Sequence, residues 1–297
     1  MQRYKLLKQI LITLSVFSSK FRLDKMESKV DNTPVTELDI VNQYIIEQSI
    51  KLYFTNDNII AEENLSSDFS KITLKKYQKD IEYLISIIKQ EKILKDNTTN
   101  TWFIDPIDGT KGFIDNLTFS IAISILSNNK LKFSGIASIG LNKSIKYLSN
   151  IVIATTNNNE IEIFNEKLES LNTQEINTSS YVIAISRKHK TKKLYRNLLN
   201  KKYKLIEMDS QAKYILVLLG IANFYIREQG SCGANNDYSW DHLAGIHLVR
   251  VNNGYIADLY NKTPKFCEKS DKIIFDNFLI TTTSEYEYNT IIKDLEE

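Results

Sequence analysis

The sequence predicts an α/β (α+β) chain in two unlike parts. Three observations carry that reading. Between 102 and 164, short runs alternate along the chain, as in Phe119-Ser120-Ile121-Ala122-Ile123-Ser124-Ile125, the period of a half-buried antiparallel sheet. From 181 onward, apolar strands and helix-length segments take turns, the pattern of a mixed sheet covered by helices. Before residue 90, apolar residues recur instead at helical spacing.

Taken in order, Leu7, Ile10, Leu11, Leu14, Phe17 and Phe21 mark one face of a first helix, with Lys8 and Lys20 between them. Its apolar run is far shorter than the roughly 20 residues of a membrane span. The amphipathic pattern favours a packed helix over a cleaved signal. Asn32-Thr33-Pro34-Val35 turns the chain into an extended segment. Thr36-Glu37-Leu38-Asp39 has the spacing of a capping box, with Asp39 in place of Glu or Gln, and opens a helix over 37–52. A short strand over 59–61 runs into Glu62-Glu63. A polar insertion follows, and Tyr77, Ile81, Leu84, Ile85 and Ile88 mark another helix. Strands are expected over 102–104, 119–126, 132–139, 147–155 and 160–164, then a polar connection. The second part reads as strand 181–185, helix 190–199, strand 203–206, helix 210–219, strand 223–227 and helix 240–251. Strands over 255–259 and 278–281 and a closing helix complete it. The halves are placed at 1–165 and 166–297.

Composition narrows the function classes. With 297 residues, 42% hydrophobic and 25% charged, the chain has the make-up of an ordinary globular protein. A formal charge of +2 gives no broad basic field, so neither a nucleic-acid polymer nor a membrane is an expected partner. Cys232 and Cys267 have no metal-type spacing and form no disulfide framework, which fits a reducing, cytoplasmic setting. One bond between the two stays open. Nine glycines and three prolines are few, so their positions inform. Pro34, Pro106, Gly109, Gly112 and Gly245 all lie in acid-bearing motifs.

The most telling string is Trp102-Phe103-Ile104-Asp105-Pro106-Ile107-Asp108-Gly109-Thr110-Lys111-Gly112-Phe113. Pro106 has no N–H for a sheet, so the ladder is expected to halt there. Gly109 permits close backbone approach, and Thr110 can open a helix whose first amides attract an anion. Two carboxylates above such a helix start suit a divalent metal plus a phosphate. Asp39, Glu62 and Asp241 also sit at element boundaries. Asp241, in Ser239-Trp240-Asp241-His242-Leu243-Ala244-Gly245, is expected in the first turn of a helix. Singly, Glu62-Glu63 reads as surface charge, and Asp39 and Asp241 as caps. Their joint occurrence in this order points to one site.

This combination resembles the lithium-sensitive, magnesium-dependent phosphatases of the inositol monophosphatase and fructose-1,6-bisphosphatase superfamily. Its motifs are an acidic pair after a strand, Asp-Pro-Ile/Leu-Asp-Gly-Thr, and Trp-Asp-x-Ala-Gly. Within it, four segments are similar to the 3′(2′),5′-bisphosphate nucleotidases: Lys111-Gly112-Phe113, Ile185-Ser186-Arg187-Lys188-His189, Asp209-Ser210-Gln211-Ala212-Lys213-Tyr214, and Pro34 to Asp39. Three features depart from the pattern: Ala61 before the acidic pair, a 135–139 strand without Tyr-x-Pro, and unusual segments at 63–102 and 230–238.

The resemblance implies a layered αβαβα sandwich with an antiparallel sheet in the first half and a mixed one in the second. It implies two to three Mg²⁺ ions, held by Glu62, Asp105, the Ile107 carbonyl, Asp108 and Asp241. Thr110, hydrogen-bonded to Asp39, would help deprotonate the attacking water. Gly109 and Thr110 would bind the phosphate, and the leaving oxygen would be protonated near Asp241. Ser186, His189, Ser210, Lys213 and Arg227 would cradle the nucleotide and its retained phosphate. The implied reaction is hydrolysis of adenosine 3′,5′-bisphosphate to AMP and phosphate, a step of sulfur metabolism, by a monomer or homodimer. The rivals are an inositol-phosphate phosphatase with the same metals and a non-catalytic nucleotide-binding homologue.

Overall fold

A computed structural model describes residues 1–29, 33–96, 98–172, 181–187, 198, 203–228 and 237–296. The expected helix over 190–199, except Leu198, lies outside the described residues, as do His189 and Cys232.

Five layers follow one another. The outermost holds α1 (Gln2–Lys20), α2 (Glu37–Tyr53), α3 (Asp68–Lys76) and α4 (Gln78–Ile88). Next is a six-stranded sheet of β3 (Asn58–Ala61), β4 (Thr101–Asp108), β5 (Phe119–Ser127), β6 (Lys130–Ile139), β7 (Ile151–Thr156) and β8 (Ile161–Asn165), in that order. The short β1 (Met26–Ser28) and β2 (Pro34–Thr36) pair beside it, and α5 (Thr110–Ile114) and α6 (Leu141–Ser144) are single turns at strand ends. A middle layer of α7 (Ala212–Leu218) and α8 (Leu243–Val251) packs on β6 and also on the second sheet. That sheet holds β9 (Tyr181–Ile185), β10 (Tyr203–Glu207), β11 (Phe224–Glu228), β12 (Tyr255–Ala257) and β13 (Phe278–Thr282), ordered β10-β9-β11-β13-β12. The last layer holds α9 (Glu285–Glu296).

The first sheet is antiparallel from β4 to β8, with β3 alone parallel to its neighbour. It is buried on both faces rather than half-buried. Ile121, Ile123 and Ile125 face the α1–α2 core, while Ala122 and Leu126 face the middle helices. The apparent polar positions are small buried hydroxyls. Ser120 pairs with Ser138 at 2.9 Å, and Ser134 with His247 of α8 at 2.9 Å. Small residues let a helix close on a sheet while their hydroxyls find partners within it. The second sheet is mixed, with β9–β10 and β9–β11 parallel and β13 antiparallel to both its neighbours.

Several boundaries moved for stated reasons. Pro106 does not end its strand. Asp105 pairs with Ala122 and Asp108 with Ser120, so one extra residue bulges out and the ladder resumes. The missing N–H of Pro106 falls inside the bulge, where no ladder partner is needed. The polar insertion contains α3, capped by Ser67, whose side chain accepts from the Ser70 N–H at 3.1 Å. Asp241 lies outside the helix, in a turn before its N-cap His242, and that turn is closed by the His242 and Leu243 N–H groups on Ser239. Tyr147 belongs to an exposed turn rather than to β7.

Candidate active site

The capping box forms as predicted, and it places Asp39 beneath the site. The Thr36 backbone N–H donates to Asp39 Oδ2 at 2.9 Å, and the Thr36 hydroxyl donates to the same oxygen. The other carboxylate oxygen, Oδ1, accepts from Thr110 Oγ1 at 3.3 Å. Thr110 also reaches the Ile107 carbonyl at 3.1 Å, so one hydroxyl proton is shared between two acceptors. Asp39 is fully buried, and its pKa is pushed up to about 7 by burial, against the pull of Thr36.

The β4 bulge brings its two aspartates to one side of the chain, and Asp241 arrives from the turn before α8. One carboxylate oxygen from each of Asp105, Asp108 and Asp241 lies within 4.8 Å of the others. Burial, followed by the neighbouring acids, holds Asp105 well above the usual carboxylate range. The same two causes act on Asp241. Asp108 is raised to about 6 by burial, moderated by Lys213. Asp105 Oδ1 accepts from the Ile107 N–H at 3.1 Å, but its buried Oδ2 has no hydrogen-bond partner. An all-oxygen set with surplus negative charge and an orphaned carboxylate oxygen fits a hard divalent cation.

Glu62 faces the same cavity and is among the charges that raise Asp105. It is paired with Lys29, whose Nζ lies 2.7 Å from Glu62 and 2.5 Å from Glu63. Burial alone would lower the Lys29 pKa; the two glutamates outweigh it and raise it. Lys29 was not foreseen, although it lies just before the Pro34-Val35-Thr36 string.

Close contacts seat Ser210 against the first sheet and α8 against α7. Gly109 has φ +82°, and a Cβ there would lie 2.9 Å from Ser210 Cβ, so only glycine permits this approach. A Cβ on Gly245 would fall 2.1 Å from the Tyr214 ring, so that glycine seats α8 on α7. Ser210 Oγ pairs with Ser120 Oγ of β5 at 3.0 Å.

The resulting cavity of about 340 Å³ is lined by Glu62, Asp105, Ile107, Asp108, Gly109, Thr110, Ser186, Ser210, Lys213, Arg227 and Asp241 together. Of the predicted set, Asp39 lies behind Thr110 rather than in the wall, and His189 lies outside the described residues. Lys213 Nζ donates to the Met208 and Ser210 carbonyls at 3.2 and 2.5 Å, and burial lowers its pKa to about 8. Ser186 Oγ donates to Asp209 Oδ1 at 3.1 Å. Sequence reasoning did not assign Lys111, Asp209, Gln211, Tyr225 or His242, which also line the cavity. Lys111, Asp209, Gln211 and His242 sit inside the motif strings already singled out; Tyr225 carried no such signal. β9 and β11 pair only through Phe224 and Tyr225, so the two parallel strands part at their C-terminal ends. Ser186 and Arg227 face the cavity from that gap, the usual crevice of an open α/β sheet. A larger groove of about 660 Å³ between α2, α3 and α4 gathers no comparable acid cluster.

The sequence profile of the inositol monophosphatase family matches residues 3–297. A protein named 3′(2′),5′-bisphosphate nucleotidase in Schizosaccharomyces pombe is 27% identical over 80% of this chain and 77% of its own length. Among solved structures, an IMPase of Thermotoga maritima superposes with a TM-score of 0.64 at 19% identity, covering 99% of this chain and 95% of that one. An IMPase/NADP phosphatase complexed with Mg²⁺ and phosphate has a TM-score of 0.59 at 16% identity, over 91% of this chain and 85% of that one. The chain belongs to the inositol monophosphatase family of phosphatases. No helix among the described residues is long and apolar enough to cross a membrane.

Proposed function

We propose that this family member is a Mg²⁺-dependent phosphatase that removes the 3′-phosphate of adenosine 3′,5′-bisphosphate. The single observation that carries this reading is the meeting, in one cavity, of the Asp105–Asp108–Asp241 cluster with Lys213 and Arg227. An acid cluster alone would suit any phosphomonoester. Two cationic side chains beyond it suit a substrate with a second phosphate. The nucleotidase name of the S. pombe relative supports the same choice.

Glu62, Asp105, Asp108, Asp241 and the Ile107 carbonyl would hold two to three ions. Bound Mg²⁺ supplies Lewis-acid charge at the phosphoryl group and acidifies water. Thr110 Oγ1 accepts a proton from the attacking water as its own passes to Asp39 Oδ1. Asp39, buried behind Thr110, is within hydrogen-bond reach to take that proton. The Gly109 and Thr110 amides orient the phosphate, and Ser186, Ser210, Lys213 and Arg227 cradle the nucleotide.

The deciding experiment compares phosphate release from adenosine 3′,5′-bisphosphate and inositol 1-phosphate with Mg²⁺, with and without Li⁺. Faster, lithium-sensitive release from the nucleotide is expected. Faster inositol phosphate turnover would reject the substrate, and no turnover of either would favour a non-catalytic binder.

A further inference from the structure

Arg227 is gripped by a carboxylate that is not part of the cavity wall. Asp237 Oδ1 accepts from Arg227 Nε at 2.9 Å and lies 2.8 Å from Nη2, with the Asp237 side chain only 3% exposed. The same oxygen lies 3.4 Å from His242 Nε2. The other ring nitrogen of His242, Nδ1, pairs with the Tyr214 hydroxyl at 2.9 Å, and Tyr214 meets Tyr225 edge-on at 4.9 Å. Arg227, His242 and Tyr225 all line the cavity. One buried oxygen thus stands behind three parts of its wall.

The surroundings show why such a grip matters. Arg227 lines the same cavity as Asp241, one of the three clustered acids. A guanidinium makes strong, often paired, hydrogen bonds to any carboxylate it can reach. Unrestrained, its long side chain would sample many directions at the cavity wall. Asp237 occupies the Nε–Nη2 edge, while Arg227 still lines the cavity.

We infer that Asp237 is a positioning residue for doubly phosphorylated substrates: it aims Arg227 at the phosphate that is not hydrolysed. This rests on the nucleotide reading above. It separates Asp237 from the carboxylates of the cluster although it is only four residues from Asp241. Its side-chain partners are the Arg227 guanidinium and the His242 ring nitrogen, so it acts on recognition and not on the reacting phosphorus.

The test compares KM and kcat for adenosine 3′,5′-bisphosphate and for 3′-AMP, which lacks the second phosphate, in the wild type, Asp237→Asn and Asp237→Glu. The wild type should prefer the bisphosphate. Asp237→Asn should raise KM for the bisphosphate by about tenfold or more, as for loss of one charge-assisted phosphate contact, with kcat little changed. KM for 3′-AMP should move less than about twofold. Asp237→Glu should recover part of the loss, because it restores the ion pair at a longer reach. Calorimetry should show AMP binding weakened in parallel. Should Asp237→Asn fail to fold, Asp237→Glu carries the same comparison, with its KM effect again confined to the bisphosphate. An equal loss on both substrates, or wild-type behaviour of Asp237→Asn, would overturn this inference alone. A wild type without preference for the bisphosphate would overturn the substrate reading and this inference with it.

Discussion

Two buried acid sites sit at opposite ends of strand β4 and are built on opposite principles. At its start, Asp57 is wholly buried and saturated with donors. It accepts from Arg3 Nε and Nη2 at 2.7 and 2.8 Å, from the Asn100 N–H at 2.9 Å and from Trp102 Nε1 at 2.7 Å. Arg3 spends its remaining donors on Asp96 and the Thr98 carbonyl. At the end of the strand, Asp105 is just as buried, yet one of its oxygens has no donor and its neighbours are Glu62, Asp108 and Asp241. A buried charge matched at every oxygen holds elements together, here α1 against the edge of the first sheet. A buried charge surrounded by like charges is a cost to the fold, and it persists where a ligand offsets it.

The largest difference should appear on removing one charge from each site. Asp105→Asn should lower kcat/KM on the order of 10³-fold or more while the protein stays folded, read by phosphate release and circular dichroism. In metal-free buffer the variant should melt no lower than the wild type, because repulsion within the cluster is relieved. Arg3→Met should do the reverse. It leaves Asp57 buried without its main partner and should cost about 3–5 kcal/mol in urea unfolding, with kcat of the folded fraction unchanged. A stable Arg3→Met, or an inactive one at full stability, would break the comparison.

Proton linkage sharpens the contrast further. Without metal, burial raises Asp39, Glu63 and Asp108 to pKa values of about 7, 8 and 6, above the ordinary carboxylate range. The folded state therefore holds these protons more tightly than the unfolded one. Their contribution is complete below about pH 4 and is lost as pH rises through 6 to 8. Chelator-treated protein should lose on the order of a few kcal/mol over that range, read by melting temperature, and Mg²⁺ should restore most at pH 8 and least at pH 5. An equal Mg²⁺ effect at both pH values would argue against a carboxylate cage. The smallest effect expected is that of Thr110→Ala, about ten- to a hundredfold in kcat with KM held, since only the proton relay to Asp39 is lost.

Much of the active site is legible before any coordinates, because its parts are local. The Thr36–Asp39 box fixes Asp39 within four residues, and the Asp105-to-Thr110 string gathers five site residues within six, where backbone geometry alone relates them. The Arg3–Asp57 pair is different: its members are 54 residues apart, and neither sits in a recognisable string. The same holds for Asp237, which precedes the Trp240-Asp241 motif and carries no signal of its own. The bulge at Pro106 was hidden for another reason. Whether a ladder resumes after a proline depends on the partner strand β5, and a single segment does not contain its partner.

Local patterning, then, was enough to establish the α/β class, the Thr36–Asp39 cap, the acid motifs and the family to which they belong, since these depend on residues within a turn or two of one another. Tertiary structure alone decided which buried carboxylates are neutralised and which are left to a ligand. That outcome depends on how many donors from distant segments reach each oxygen, and only the packed chain sets those distances.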